Sequence, residues 1–205
     1  MKTKLITTLA VVALAGAAFA APQSFDFKDP KGVNNAVFKL DAPLEAINGS
    51  ANGISGTVEF DPANPAATTG KIIVAAESLT VPNPMMKEHL HGGQWLDVAK
   101  YPEISFALKE LKNAKTEGNV TTATAVGTFS LKGVEKELST PVKLTYLKGK
   151  LADRSMGQMK GDLLVIRSTF TIKRSDFNIQ PGKNEDKVSN EIELSLSIAG
   201  AAPQK

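Results

Sequence analysis

The sequence predicts an all-β protein with eight antiparallel strands in one domain, closed into a barrel. Beyond Ala21, almost every apolar stretch alternates with polar residues at every second position, which is the period of a half-buried strand. Turn-forming Pro, Gly, Asn and Asp residues separate these stretches. Closure would cover the edges of successive antiparallel strands, and several of the strands look long, which favours a barrel. A β-sandwich remains the alternative.

The eight strands are predicted at 35–41, 53–60, 70–78, 103–111, 119–131, 136–147, 162–174 and 187–199. Side chains two residues apart on a strand share a face, so each alternation also predicts an apolar face. The clearest example is the last strand, in which four apolar residues alternate with Glu and Ser: Ile192, Leu194, Leu196 and Ile198. No repeat or interdomain linker interrupts the series.

One helical segment lies between the third and fourth strands. Asn83 is a suitable N-cap and Pro84 suits the first helical position, so a turn or two of helix should follow over 85–90. A second short turn is expected over 94–100. Trp95, with the methionines of the helix, would either cover a cavity mouth as an apolar lid or seal the bottom of the barrel.

His89 and His91, the two histidines of the chain, lie in this helical segment. Residues two apart share a face on a strand but not on a helix, and no third ligand is obvious nearby. We therefore expect no metal site.

The N-terminal residues predict a secretory signal peptide over 1–20. Two lysines precede an apolar stretch, and Ala18-Phe19-Ala20 places small residues at both positions of an A-x-A cleavage site. The apolar stretch is shorter than the ~20 residues needed to span a bilayer, which favours cleavage over an uncleaved anchor. We expect residues 21–205 to form a single domain in the periplasm.

Composition and motifs exclude several classes of protein. The chain has no cysteine, which excludes disulfides, thiolate catalysis and thiolate metal sites. Its 24 basic and 21 acidic residues are interleaved, without the basic block typical of a nucleic-acid surface. No nucleophile elbow, phosphate-binding glycine loop or zinc-protease motif is present. We expect neither an enzyme nor a bound cofactor.

Of four local signatures along the chain, the first is Gly56-Thr57-Val58-Glu59-Phe60-Asp61-Pro62 and the second is Glu77-Ser78-Leu79-Thr80. The third consists of His89-Leu90, then Trp95-Leu96-Asp97-Val98 and Tyr101-Pro102-Glu103-Ile104-Ser105-Phe106. The fourth is Lys173-Arg174-Ser175-Asp176-Phe177, and it is preceded by Gly127 and by Leu131-Lys132-Gly133-Val134. Together they resemble the YceI-like family, the lipocalin-like polyisoprenoid-binding proteins of the bacterial envelope, over essentially all of 21–205. One departure is Asn178, where the family usually has glycine. Asn also tolerates unusual turn backbone, so the turn should form.

The resemblance implies an extended eight-stranded antiparallel lipocalin-like barrel, with one or two short helices at one end, whose pocket takes long isoprenoid or other lipid chains. Each isoprenoid unit buried there would gain roughly 3–4 kcal/mol, at about 0.8 kcal/mol per CH₂-sized group. Ten residues are the candidate ligand contacts: Ile54, Phe60, Ile72, Val74, Phe106, Phe129, Phe170, Ile172, Arg174 and Leu194.

Arg174 and Lys173 are the candidates for contact with a polar head group at the barrel mouth. Two residues apart on a strand, Arg174 and Asp176 project to the same face. The alternative role of Arg174 is therefore a structural ion pair with Asp176.

The function predicted is that of a periplasmic carrier or binding protein for a polyisoprenoid, an isoprenoid quinone or a fatty lipid. One alternative is a non-enzymatic stress-related interaction protein that acts with a membrane redox partner. The other is a hydrolase, in which His89 or His91 would hydrogen-bond a serine. A lipid-like small molecule is the expected partner, and nucleic acid is not. Transient contact with a membrane or a membrane redox protein, and a homodimer, are left open.

Overall fold

The computed structural model describes residues 22–204, so the predicted signal peptide over 1–20 lies outside the described residues. This part of the chain has ten strands and two short helices. The strands are β1 (Gln23–Asp26), β2 (Asn35–Asp41), β3 (Ala46–Ala51), β4 (Ile54–Phe60), β5 (Thr69–Ala75), β6 (Glu103–Glu117), β7 (Val120–Leu131), β8 (Val134–Leu147), β9 (Gly161–Lys173) and β10 (Glu191–Pro203). The helices are α1 (Pro84–His91) and α2 (Leu151–Arg154).

All ten strands belong to one antiparallel sheet that closes on itself. The ring runs in the order β1-β4-β5-β6-β7-β8-β9-β10 and closes where Asp26 faces Ala201. β2 also pairs with β10, further along the strand, and β3 pairs with β2. β1 and β2 are therefore two halves of one interrupted strand, and so are β3 and β4. The result is the predicted eight-stranded antiparallel barrel.

The side-chain amide of Asn34 bridges the break between β1 and β2. Its Oδ1 accepts from the Ala199 N–H at 2.9 Å, and its Nδ2 donates to the carbonyls of Ala199 at 3.1 Å and Phe27 at 3.0 Å. Because β10 pairs with β2 up to Ser197 and with β1 at Ala201, Ala199 lies opposite the break. The amide thus makes the two hydrogen bonds that a paired strand residue would make with Ala199.

All eight predicted strands are present, and β1 and β3 are two that alternation did not predict. β1 has four residues, too few to show a period. β3 has one large apolar residue, Ile47, and a central glycine, Gly49. A Cβ at Gly49 would collide with the ring of Phe38 in the paired strand β2. Cross-strand packing therefore explains β3 where periodicity does not.

β6 contains a β-bulge that changes which of its residues face the interior. Its register against β7 shifts between Leu108 and Glu110. Leu108 and Leu111 consequently line the same cavity, although strict alternation would separate them. Gly127 lies opposite Leu108, and a Cβ there would come within 2.7 Å of Phe106 Cζ. The glycine therefore leaves room for the Phe106 ring.

The helices lie at opposite ends of the barrel. α1 lies in the connection between β5 and β6, at the end where β9 turns back into β10, whereas α2 connects β8 to β9. A packed core fills the α2 end, where Phe25 and Phe60 are almost fully buried. The Tyr146 ring packs edge-on against Phe25, with centroids 6.3 Å apart. Within 22–204, no helix is long and apolar enough to cross a membrane.

Candidate functional site: two apolar chambers

The barrel is hollow between the packed core at the α2 end and helix α1. Two apolar chambers adjoin there, an inner chamber of about 170 Å³ and an outer chamber of about 250 Å³. The inner chamber is walled by barrel strands, and the outer chamber lies under α1 and the loop between β9 and β10. An apolar cavity of about 150 Å³ already admits a benzene-sized molecule.

A waist of five side chains separates the chambers and contributes to the lining of both: Phe38, Leu79, Ile104, Phe129 and Leu194. Four of them come from β2, β6, β7 and β10, and Leu79 comes from the segment after β5. Because the chambers share this wall, a molecule longer than either chamber reaches both only by passing the waist. The two chambers are therefore neighbours across one apolar waist.

Eight of the ten predicted contacts line these chambers. The inner chamber is lined by Ile72, Val74, Phe106, Phe129, Phe170 and Leu194. Phe129 and Leu194 also line the outer chamber, together with Ile172 and Arg174. Ile54 and Phe60 line neither chamber and lie in the packed core. All ten face the interior, but Ile54 and Phe60 are buried outside the two chambers.

The sequence prediction missed several lining residues that come from irregular segments. Leu79 and Val81 follow β5, and Val188 lies in the loop before β10. Alternation applies only within a strand, so it could not identify them. Ile104 and Leu196 were detectable, because each is two residues from a predicted contact on the same strand face.

Arg174 borders the outer chamber, but its guanidinium holds the loop between β9 and β10. Its N–H groups donate to five backbone carbonyls: those of Ser189 at 3.2 Å, Ile179 at 2.9 Å, Val188 at 3.1 Å, Gln180 and Lys183. All five donors of the guanidinium are therefore used, and the side chain is completely buried. Burial lowers the pKa of Arg174, and the nearby Glu185 partly opposes that shift.

This geometry corrects the roles expected of Arg174 and its neighbours. Arg174 does not pair with Asp176, which is exposed, because its donors all go to carbonyls. The same hydrogen bonds leave no N–H free for a head group. Lys173 is exposed and lines neither chamber. Asn178 ends the turn after Arg174 with φ of 54°, so the turn forms as expected.

Several contacts connect the two segments that roof the outer chamber. The Gln180 side-chain amide donates to Gln94 Oε1 at 3.0 Å, and Lys132 Nζ donates to the Gln94 carbonyl at 3.3 Å. The Arg174 guanidinium lies over the Trp95 ring, 5.8 Å from its centroid. Trp95 lines the chamber, as does Met86, whereas Met85 is 67% exposed. The roof is thus both apolar inside and hydrogen-bonded across its top.

Helix α1 forms as the sequence predicts, with the Asn83 side chain accepting from the Met86 N–H at 3.1 Å. Its two histidines have different surroundings. His89 lines the outer chamber, and His91 Nε2 lies 2.7 Å from the Leu79 carbonyl. The described residues contain no cluster of three or more His, Cys, Asp or Glu side chains suited to a metal ion.

Comparison with known proteins assigns residues 28–199 to a YceI-like domain. A UPF0312 protein of Pseudomonas aeruginosa is 28% identical over 198 residues, which cover 94% of this chain and 96% of the relative. A UPF0312 protein of Yersinia enterocolitica is 31% identical over 154 residues, which cover 75% of this chain and 73% of the relative.

Solved structures share the same fold at low sequence identity. A polyisoprenoid binding domain from Saccharophagus degradans, implicated in plant cell wall breakdown, has a TM-score of 0.64 at 10% identity and covers 89% of this chain and 99% of its own. BcnA of Burkholderia cenocepacia has a TM-score of 0.63 at 20% identity, with 81% and 94% covered. The Campylobacter jejuni YCEI protein has a TM-score of 0.60 at 22% identity, with 77% and 84% covered.

Proposed function

The chain belongs to the YceI-like family, and we propose that it is a binding protein that holds one long apolar molecule inside its barrel. The ligand would be a polyisoprenoid, an isoprenoid quinone or a fatty lipid. The observation that carries this proposal is the pair of adjoining apolar chambers, which lie between helix α1 and the packed core of the barrel. The polyisoprenoid binding domain with the same fold supports the ligand class.

The chambers favour a flexible hydrocarbon chain over a compact ligand. Burial of each CH₂-sized group contributes about 0.8 kcal/mol, so a few prenyl units give tight binding even after the entropy of ordering the chain is subtracted. The waist divides the space into two small volumes, which a chain can thread and a rigid fused-ring ligand cannot. Length discrimination should be weak, because the interaction is apolar along the whole path.

The outer chamber favours a neutral head group over a phosphate. Its ionisable lining residues are Glu45, His89 and Arg174. The N–H donors of Arg174 are already committed to carbonyls, and the Glu45 carboxylate would repel an anion. A quinone, an amide or an alcohol needs only a hydrogen bond, which His89 at the edge of α1 can supply.

We further propose that binding involves no catalysis and takes place in the periplasm. A hydrolase would need a histidine beside a serine hydroxyl, whereas His91 lies against the Leu79 carbonyl. The compartment rests on the signal-peptide pattern of residues 1–20. A carrier or a store of lipid in that compartment fits both statements.

Native mass spectrometry of protein purified without detergent tests the proposal, followed by organic extraction. The expected result is a one-to-one adduct whose extract carries an isoprenoid or fatty chain with a neutral head group. A protein that stays unliganded after incubation with quinones, polyprenyl phosphates and fatty amides would contradict it. Adducts with polyprenyl phosphates alone would retain the binding function and overturn the neutral head group.

A further inference from the structure

The hydrogen-bonded wall of the barrel is interrupted between β8 and β9. Their register runs from Leu147 opposite Leu163 only as far as Val142 opposite Ser168. By contrast, β8 pairs with β7 down to Val134, and β9 pairs with β10 down to Lys173. Residues 134–141 of β8 and the facing residues of β9, 169–173, therefore have no register with each other.

Pro141 explains why the register stops where it does. The Pro141 carbonyl accepts from Ser168 Oγ at 2.7 Å, so it points towards β9. In an antiparallel pair the N–H and C=O of a residue point to the same neighbouring strand, and proline has no N–H to donate. Proline is normally confined to edge strands, and residues 134–141 of β8 behave as an edge on the side that faces β9.

Aromatic side chains fill the gap in place of backbone hydrogen bonds. Phe129 packs edge-on against Phe170 and Phe177, with centroids 6.1 Å and 5.5 Å apart. Outside them lies a surface cleft of about 490 Å³, whose lining includes Leu138 and Thr171. Phe129 lines this cleft and also both chambers. Ile172 also lines the cleft, but of the chambers it lines only the outer one. The Phe129 ring is therefore the side chain that stands between the cleft and both chambers.

The other boundaries of the ligand space are harder to open. The α2 end is filled by core side chains, and the roof at the α1 end is held by the five hydrogen bonds of Arg174 and the Gln94–Gln180 contact. Opening the roof would leave buried polar groups without partners, whereas displacing an aromatic ring breaks no hydrogen bond.

We propose that the ligand enters and leaves the barrel sideways, through the unpaired section between β8 and β9, with the Phe129 ring as the gate. This inference rests on the proposed binding function. The hydrocarbon chain of the ligand passes Phe129 and reaches the waist directly. From the waist it extends into both chambers. The route leaves the hydrogen-bonded ladders and the roof intact.

Single-cysteine labelling tests the route cleanly, because the chain has no cysteine of its own. Thr171→Cys places a thiol on an exposed residue that lines the cleft. The matched control is Thr122→Cys, on an exposed residue of β7 that is paired on both sides, with Lys115 and Lys143. Met85→Cys, on the exposed side of α1, reports on the rival route through the roof.

Each variant is coupled to a polyethylene-glycol maleimide, and uptake of a fluorescent polyene fatty alcohol is followed by stopped flow. The adduct at Thr171→Cys should slow association and dissociation together by about tenfold or more, with Kd unchanged, since an obstructed path leaves both end states as they were. The adducts at Thr122→Cys and Met85→Cys should leave both rates unchanged.

Three results would overturn the lateral route. The first is unchanged rates for the adduct at Thr171→Cys. The second is slower rates for the adduct at Met85→Cys but not for the one at Thr171→Cys. The third is that the adduct at Thr122→Cys slows both rates as much as the adduct at Thr171→Cys. A weaker Kd with unchanged association at Thr171→Cys would make the cleft part of the binding site and would also reject a gate. Failure of the unlabelled protein to take up the fatty alcohol or a prenyl quinone would instead reject the binding function itself.

Discussion

At the scale of single residues, buried polar side chains determine the shape of the irregular backbone. Arg174 is the clearest case, since one guanidinium is the common partner of carbonyls spread from Ile179 to Ser189. The loop between β9 and β10 has no strand pairing of its own, so its buried carbonyls would otherwise lack hydrogen-bond donors. Arg174 therefore acts as a structural residue that keeps the roof of the outer chamber in place.

Arg174→Met should destabilise the protein by about 3 kcal/mol or more, because several buried carbonyls lose a charged donor at once. Urea unfolding of the ligand-free protein measures this loss. Arg167→Met is the matched control, since Arg167 lies on β9, the strand that leads into Arg174, but is exposed. Similar unfolding midpoints for the two variants would show that the guanidinium does not hold the loop.

A second polar pair, Tyr146 and Asp162, should make stability depend on pH in both directions. The Tyr146 hydroxyl donates to Asp162 Oδ2 at 2.7 Å, and the Gly149 N–H donates to Oδ1 at 2.7 Å. Burial alone would raise the pKa of Asp162, but these hydrogen bonds outweigh it and the pKa is lowered. Burial, and then the hydrogen bond to Asp162, raise the pKa of Tyr146 to about 12.

The stability from Asp162 should be present above pH ~4 and disappear as pH falls through its lowered pKa. The stability from Tyr146 should be present below pH ~10 and disappear as pH rises towards 12. Tyr146→Phe should flatten the alkaline decline in unfolding free energy and reduce the acid one. Tyr101→Phe, at the other tyrosine, is the control. An unaltered profile in Tyr146→Phe would refute the linkage.

At the scale of elements, the barrel is built from strands that are interrupted and joined by side chains. β1 and β2 continue one another along β10 although residues 27–34 separate their paired positions, and Asn34 supplies the hydrogen bonds at the junction. In β8, by contrast, Pro141 has no N–H to donate towards β9, and the register between these two strands ends there. The break between β1 and β2 is thus bridged by hydrogen bonds, whereas the register between β8 and β9 stays interrupted.

Asn34→Ala should reduce the unfolding free energy by about 2–4 kcal/mol, because the Ala199 N–H and carbonyl lose their partners. Thermal unfolding provides the measurement, and hydrogen exchange of the Ala199 amide should become faster. Asn35→Ala is the control, since the Asn35 side chain makes an exposed local contact with Val33. Unchanged protection of Ala199 in Asn34→Ala would refute the bridging role.

At the scale of the whole molecule, a packed end and a hollow end share one continuous apolar interior. Phe25 and Phe60 meet neighbouring rings at the α2 end, whereas Ile72 and Val74 face open space on the neighbouring strand. Protein interiors are normally close-packed, and dry voids lose contact energy along their walls. Occupation by a ligand should therefore stabilise the barrel by the free energy of binding.

Val74→Trp should fill the inner chamber and block ligand uptake, whereas Ile73→Trp, on the opposite face of β5, should not. Only Val74 lines the chamber. Added lipid at 100 times its Kd should raise the unfolding free energy of the parent protein and Ile73→Trp by roughly 2.7 kcal/mol, and that of Val74→Trp by much less. Equal stabilisation of both variants would place the ligand outside the barrel.

Local pattern was sufficient to predict the all-β class, the eight longer strands, helix α1 and the inward direction of the ten candidate contacts. The direction of a side chain on a strand depends on its position in the chain, as does the capping of a helix by Asn83. The same pattern could not distinguish Phe60, which is packed, from Phe106, which borders a cavity. Both are inward-facing phenylalanines of predicted strands.

Contacts between distant parts of the chain decided the rest. The five partners of Arg174, the match of Asn34 to Ala199, and the missing register beyond Pro141 all depend on which backbone groups meet after folding. The volume left between the strands depends likewise on how side chains from all eight positions around the barrel fit together. Sequence by itself therefore determined the strands and their inner faces, and the tertiary structure decided where the interior stays empty, because packing is a property of the whole set of neighbours.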